Sequence, residues 1–98
     1  MKLSDYQKLV KRLVKERGFA DESVAEVFML LVEEVGELGK AIRKQAAMKV
    51  DQRSKVHDVE EEAADVLWLL IDLSNRLGVD LEKAFAAKET KNQRREWA

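Results

Sequence analysis

The chain of 98 residues contains no cysteine, no proline, one histidine and four glycines. Without cysteine there is no disulfide framework, and a reducing compartment is compatible with the composition. Zinc, with no thiolate and a single imidazole on offer, has little to hold it. No apolar run approaches the roughly 20 residues that cross a bilayer. The opening MKLSDYQ also lacks the apolar core of a signal peptide, so a cytoplasmic protein with no membrane partner is expected. Charge of one sign is missing too: 18 basic residues face 19 acidic ones. No strong global field results, which argues against a general binder of nucleic-acid polymers. The basic residues do gather locally, in 8–17 and 83–95, where they suit a phosphorylated small molecule. A chain of this length is one domain, 1–98, that hides only roughly 60–70% of its unfolded surface by itself. Association would help it.

What is present is helical periodicity almost throughout. The spacing predicts an all-α fold of four helices and no strand, a bundle that continues into a second subunit. The first helix starts after Ser4, with Ser4 and Gln7 as a capping box, buries Leu9, Val10, Leu13 and Val14, and stops at Gly18. A second starts near Asp21 to Ser23, where Ser23 and Glu26 offer another capping box, and runs to about Ala47; Gly36 and Gly39 inside it would let another backbone approach closely. Met48 to Ser54 is polar and aperiodic, a loop and a candidate flap, and His57 beside it reads as a surface residue. The third helix, about Lys55 to Leu77, is apolar almost all round from Val66 to Leu73, which places it at the centre of the bundle. Gly78 stops it. Asp80 caps a fourth helix that carries onward to Trp97.

Two acidic clusters stand inside this apolar pattern: Glu33, Glu34 and Glu37 in LVEEVGELGKAI, and Glu62 and Asp65 in EEEAADVLWLL. Glu34 and Glu37 are spaced i, i+3, as are Glu62 and Asp65, so each helix aims two carboxylates in one direction. Such residues usually form a solvated face. Here Glu34 lies on the wheel among Val27, Leu30 and Leu38, and Asp65 is flanked by Trp68 and Leu69. A carboxylate among apolar residues stays ionised only when something positive neutralises it. Two such helices packed together would close a four-carboxylate cage, and all-oxygen ligands suit Mg²⁺, with Mn²⁺ as substitute.

A second constellation lies in KETKNQRR, where Lys88, Lys91, Asn92 and Arg95 are spaced i, i+3, i+4, i+7 and share one face. Alone it reads as a solvated stripe that complements the helix macrodipole. Beside a carboxylate cage it acquires a use, because a polyphosphate substrate needs both a divalent metal and Lys or Arg. Trp68 is a candidate for stacking on a base, although so apolar a helix favours core or interface. Asp72 lies four residues before Arg76 and is expected to pair with it.

In order and kind, Glu33-Glu34-x-x-Glu37, then Glu62-x-x-Asp65, then Lys88-x-x-Lys91-Asn92 resemble the MazG nucleotide pyrophosphohydrolase family of the all-α NTP pyrophosphatase superfamily, over roughly residues 24–97. The resemblance implies an α-helical homodimer or homotetramer that hydrolyses a nucleoside triphosphate to the monophosphate and pyrophosphate with Mg²⁺, in nucleotide-pool house-cleaning. It implies Glu34, Glu37, Glu62 and Asp65 as metal ligands, and Glu33 as a supporting carboxylate or the base that orients the attacking water. Lys88, Lys91, Asn92 and Arg95 would then meet phosphate or sugar, from the same or the neighbouring subunit. Two alternatives stay open: phosphoribosyl-ATP pyrophosphohydrolase of histidine biosynthesis, and a non-catalytic helical module that binds metal or nucleotide.

Overall fold

The computed structural model describes residues 1–46 and 58–97. Four helices carry them: α1, Leu3–Glu16; α2, Val24–Gln45; α3, Val59–Arg76; and α4, Leu81–Gln93. No strand occurs among the described residues. The expected loop at 48–54, the helical start at Lys55 and His57 all lie outside them.

Each helix start has a chemical cause. Ser23 accepts from the Glu26 amide while the Glu26 carboxylate reaches back to the Ser23 amide, so the capping box expected for α2 is present. Asp58 caps α3 through the amides of Glu60 and Glu61, and Asp80 caps α4 through that of Lys83. The start of α1 differs from expectation. Its N-cap is Lys2, whose amide donates to Asp5 at 2.8 Å, and the helix begins at Leu3 rather than after Ser4. Gln7 is spent elsewhere: its side-chain amide donates to Asn75 Oδ1 and the Val79 carbonyl, and its Oε1 accepts from the Leu81 amide, each at 2.9 Å. Tertiary acceptors on the α3–α4 turn outcompete the local cap. Gly18 and Gly78 stop α1 and α3 at φ values of +79° and +69°, a region closed to most side chains.

The third helix is central, as its apolar circumference predicts: α2 packs along one side of α3 and α1 along another. Val10 and Val14 of α1 meet Ile71 of α3, with Leu3, Trp68 and Leu81 packed around them. Leu9 and Leu13, expected in the core, are half-buried. Toward α3, α2 buries Val27 and Ala41. The fourth helix packs on α1 and has no buried residue. It ends at Gln93 rather than Trp97, because the amides of Arg94 and Arg95 bond three residues back and tighten the last turn.

An ion pair locks the far end of α3. Arg76 Nε donates to Asp72 Oδ1 at 2.9 Å, and the two side chains are 13% and 5% exposed. The same guanidinium donates through Nη2 to the Phe19 carbonyl at 2.8 Å and through Nη1 to that of Glu22. The expected pairing of Asp72 with Arg76 is therefore present, with an added grip on the α1–α2 connection.

Candidate functional site

Packing α2 against α3 brings Glu34, Glu62 and Asp65 together. One carboxylate oxygen from each lies within 4.8 Å of the others, with Glu62 buried, Glu34 half-buried and Asp65 exposed. The cluster is thus lined by protein on one side and open on the other. Glu37, half-buried one turn along α2, acts electrostatically on Glu34 but stands outside this closest group. Glu33 is exposed and stands outside this group as well.

The electrostatics follow from the crowding. Burial pushes the Glu34 carboxyl above its ordinary range, and a hydrogen bond with Glu62 and repulsion from Asp65, Glu62 and Glu37 push it the same way. A shared proton is one remedy for so many negative groups. A divalent cation is the other, and the donor set fits it: three carboxylates on two rigid helices supply hard oxygens, with no sulfur or imidazole in the group.

The basic constellation lies elsewhere in the chain. Lys88 and Lys91 are exposed on α4, and Asn92 is half-buried there. Arg95 falls beyond the end of the helix, so the expected four-residue stripe is cut to three helical positions plus a residue of the C-terminal tail. Among the described residues the main contact of α4 is with α1, whereas the carboxylates lie where α2 packs on α3. Asn92 Oδ1 is buried with no hydrogen-bond partner among the described residues, a condition expected of an acceptor held for a ligand. Trp68, named above as a candidate for stacking, is half-buried and packs against the cluster of Val10, Val14 and Ile71, as the core reading of that residue expects. What sequence reasoning missed is the Arg76 grip on Phe19 and Glu22, because backbone acceptors leave no mark in the sequence.

Comparison with known proteins agrees with this geometry. Residues 19–97 match the MazG nucleotide pyrophosphohydrolase domain. The crystal structure of iMazG from Vibrio DAT 722 is 35% identical, superposes with a TM-score of 0.69, and the match covers 95% of this chain and 99% of that one. The Bacillus subtilis protein YPJD superposes with a TM-score of 0.83 at 28% identity, over 98% of this chain and 97% of its own. A dATP/dGTP diphosphohydrolase of Salmonella phage PMBT28 is 32% identical over 97% of this chain, which spans 28% of the phage protein's length.

Proposed function

The chain belongs to the MazG nucleotide pyrophosphohydrolase family, and from that membership we propose that it hydrolyses a nucleoside triphosphate, ribo or deoxy, to the monophosphate and pyrophosphate in a Mg²⁺-dependent reaction. The observation that carries this reading is the convergence of Glu34, Glu62 and Asp65 from two helices. These three, with Glu37, would hold Mg²⁺ or Mn²⁺. When bound, the cation supplies positive charge that offsets the carboxylates and polarises phosphate oxygens.

The remaining work belongs to the protein. Attack at the α-phosphorus forms one P–O bond to water and breaks the bond to the bridging oxygen, so pyrophosphate carries the leaving charge. Glu33, exposed and next in sequence to Glu34, would orient the attacking water and accept its proton. Lys88, Lys91 and Arg95 offset the charge of the leaving phosphates, and the buried Oδ1 of Asn92 accepts from a sugar hydroxyl. With the main contact of α4 made to α1 among the described residues, these groups would reach the cluster from a neighbouring copy.

That copy also answers the apolar surface. Val24, Phe28, Val32, Val35 and Ile42 are all exposed, and their spacing sets them along one side of α2, away from the side that meets α3. Leu67 and Leu70 of α3 are exposed as well. So much apolar area on a small chain fits a homodimer or homotetramer.

Purified protein should be given a panel of ribo- and deoxynucleoside triphosphates, dATP and dGTP included, with phosphoribosyl-ATP as control. Pyrophosphate and monophosphate are the expected first products, absent in excess chelator and restored by Mg²⁺. Orthophosphate with a diphosphate, or turnover of phosphoribosyl-ATP alone, would overturn the assignment.

A further inference from the structure

Outside the carboxylate cluster, one half-buried charged group, paired with the buried Asp72, joins separate parts of the fold and takes no part in the reaction above: the Arg76 guanidinium. Three of its nitrogens are used, on Asp72 of its own helix and on the carbonyls of Phe19 and Glu22. Glu22 immediately precedes Ser23, the N-cap of α2. We propose that Arg76 is a positioning residue that sets the register of α2 against α3 and thereby the geometry of the metal-binding carboxylates. The proposal rests on reading Glu34, Glu37, Glu62 and Asp65 as that metal cage.

The geometry is that of two rungs on one antiparallel pair. From Glu22 to Glu34 is about 18 Å along α2, and from Arg76 back to Asp65 is about 16 Å along α3, at 1.5 Å per residue. Arg76 and Asp65 also fall on the same side of α3, about 20° apart on the helical wheel. The clamp and the cluster thus sit opposite one another at matched distances. Between them Val27 is the one fully buried residue of α2, and the hydrophobic attraction that buries it is non-directional. That valine and the half-buried Leu31 give this stretch few interlocking side chains to oppose a slide. A slip of one residue moves Glu34 by about 1.5 Å along the axis, whereas metal–oxygen distances tolerate about 0.2 Å. Directional bonds from a planar guanidinium supply the missing restraint. Lysine would not replace it, since one ammonium keeps the Asp72 pair but does not span both carbonyls.

The test is calorimetric titration of the metal-free full chain with Mg²⁺, well below its melting temperature, for wild type, Arg76→Lys, Asp72→Asn and the core control Val14→Ala. Helix content is followed by circular dichroism. Wild type should bind. Arg76→Lys should keep its helix content and lose roughly 10–100-fold in Mg²⁺ affinity, the range seen when groups that orient metal ligands are changed. Asp72→Asn should lose less, and Val14→Ala, although less stable, should bind as wild type does. Should Arg76→Lys fail to fold, Asp72→Asn against Val14→Ala carries the comparison. Wild-type affinity in a folded Arg76→Lys, or an equal loss in Val14→Ala, would show that Arg76 does no more than stabilise the fold, and would overturn the proposal alone. Absence of Mg²⁺ binding in wild type would overturn the cage reading, and the proposal with it.

Discussion

Replacing Glu34 by leucine separates a carboxylate held for a metal from one held for the fold. In the metal-free protein Glu34 is desolvated, shares a hydrogen bond with Glu62 and is repelled by Asp65, Glu62 and Glu37. Its carboxyl therefore titrates above the ordinary value of 4.5, and the folded chain holds this proton more tightly than the unfolded chain does. The resulting stability is complete below the unfolded value and is lost as pH rises through the folded one. At neutral pH, without metal, Glu34 is a liability. Leucine removes the repulsion, and in a half-buried position it adds roughly 1 kcal/mol of apolar burial. Metal-free Glu34→Leu should be at least as stable as wild type at neutral pH, and the gap should narrow on acidification toward 4.5.

Metal reverses the order. Mg²⁺ at a hundred times its dissociation constant stabilises the native state by about 2.7 kcal/mol, which for a domain of this size is roughly 10–20 °C in melting temperature. Wild type should show that gain, and Glu34→Leu only a small part of it. Melting curves followed by circular dichroism at one fixed protein concentration, with chelator and with Mg²⁺, decide the matter. A metal-free Glu34→Leu protein that melts well below metal-free wild type would refute the reasoning, since Glu34 would then be serving a structural partner. Hydrolysis should be abolished in the variant.

Wild type should sediment as a dimer or larger at micromolar concentration, and Phe28→Lys should shift it toward the single chain; a compact wild-type monomer would remove the assembly reading. Lys91→Ala and Arg95→Ala should each lower kcat/KM about tenfold or more with unchanged helix content, a loss of about 1.4 kcal/mol in transition-state binding, and wild-type kinetics in both would make the stripe a solvated face. Gln7→Ala should destabilise by roughly 1–3 kcal/mol, because Asn75, the Val79 carbonyl and the Leu81 amide all lose a partner. Its reaction products should be those of wild type.

Which parts of this were legible beforehand follows from the range of the forces involved. Ser23 with Glu26, Asp80 with Lys83, and the glycine stops at Gly18 and Gly78 are local, so a few residues of sequence contain the whole cause. The Asp72–Arg76 pair is local as well, one helical turn apart. The cluster of Glu34, Glu62 and Asp65 is not local, yet it showed itself because carboxylates broke into an apolar pattern whose faces were already assigned. Gln7 was misread for the opposite reason. Its partners are 68 to 74 residues away, and nothing around Ser4 records that the α3–α4 turn offers better hydrogen bonds than a helix start. The end of α4 failed similarly, since a helix with no buried residue lacks the packing that would extend it past Gln93.

The same logic bears on the proposal that a second chain completes the cluster-bearing pair, α2 and α3. A compact domain of about 100 residues has a radius of gyration near 13 Å. This chain has 16.3 Å. Its buried apolar side chains are Val10, Val14, Val27, Ala41 and Ile71 among the described residues, and only Val27 and Ala41 lie on α2. The helix that supplies Glu34 thus has one face thinly packed on α3 and a second, through Phe28 and Val32, left to solvent. An apolar second face is wasted on a monomer and costs it solubility. In the sequence the need for further cover was visible as a third helix hydrophobic almost all round; the exposed apolar side of α2 was not read there. If assembly and metal binding both fall on this helix pair, as proposed, the directional grip of Arg76 would add rigidity there that burial alone does not supply.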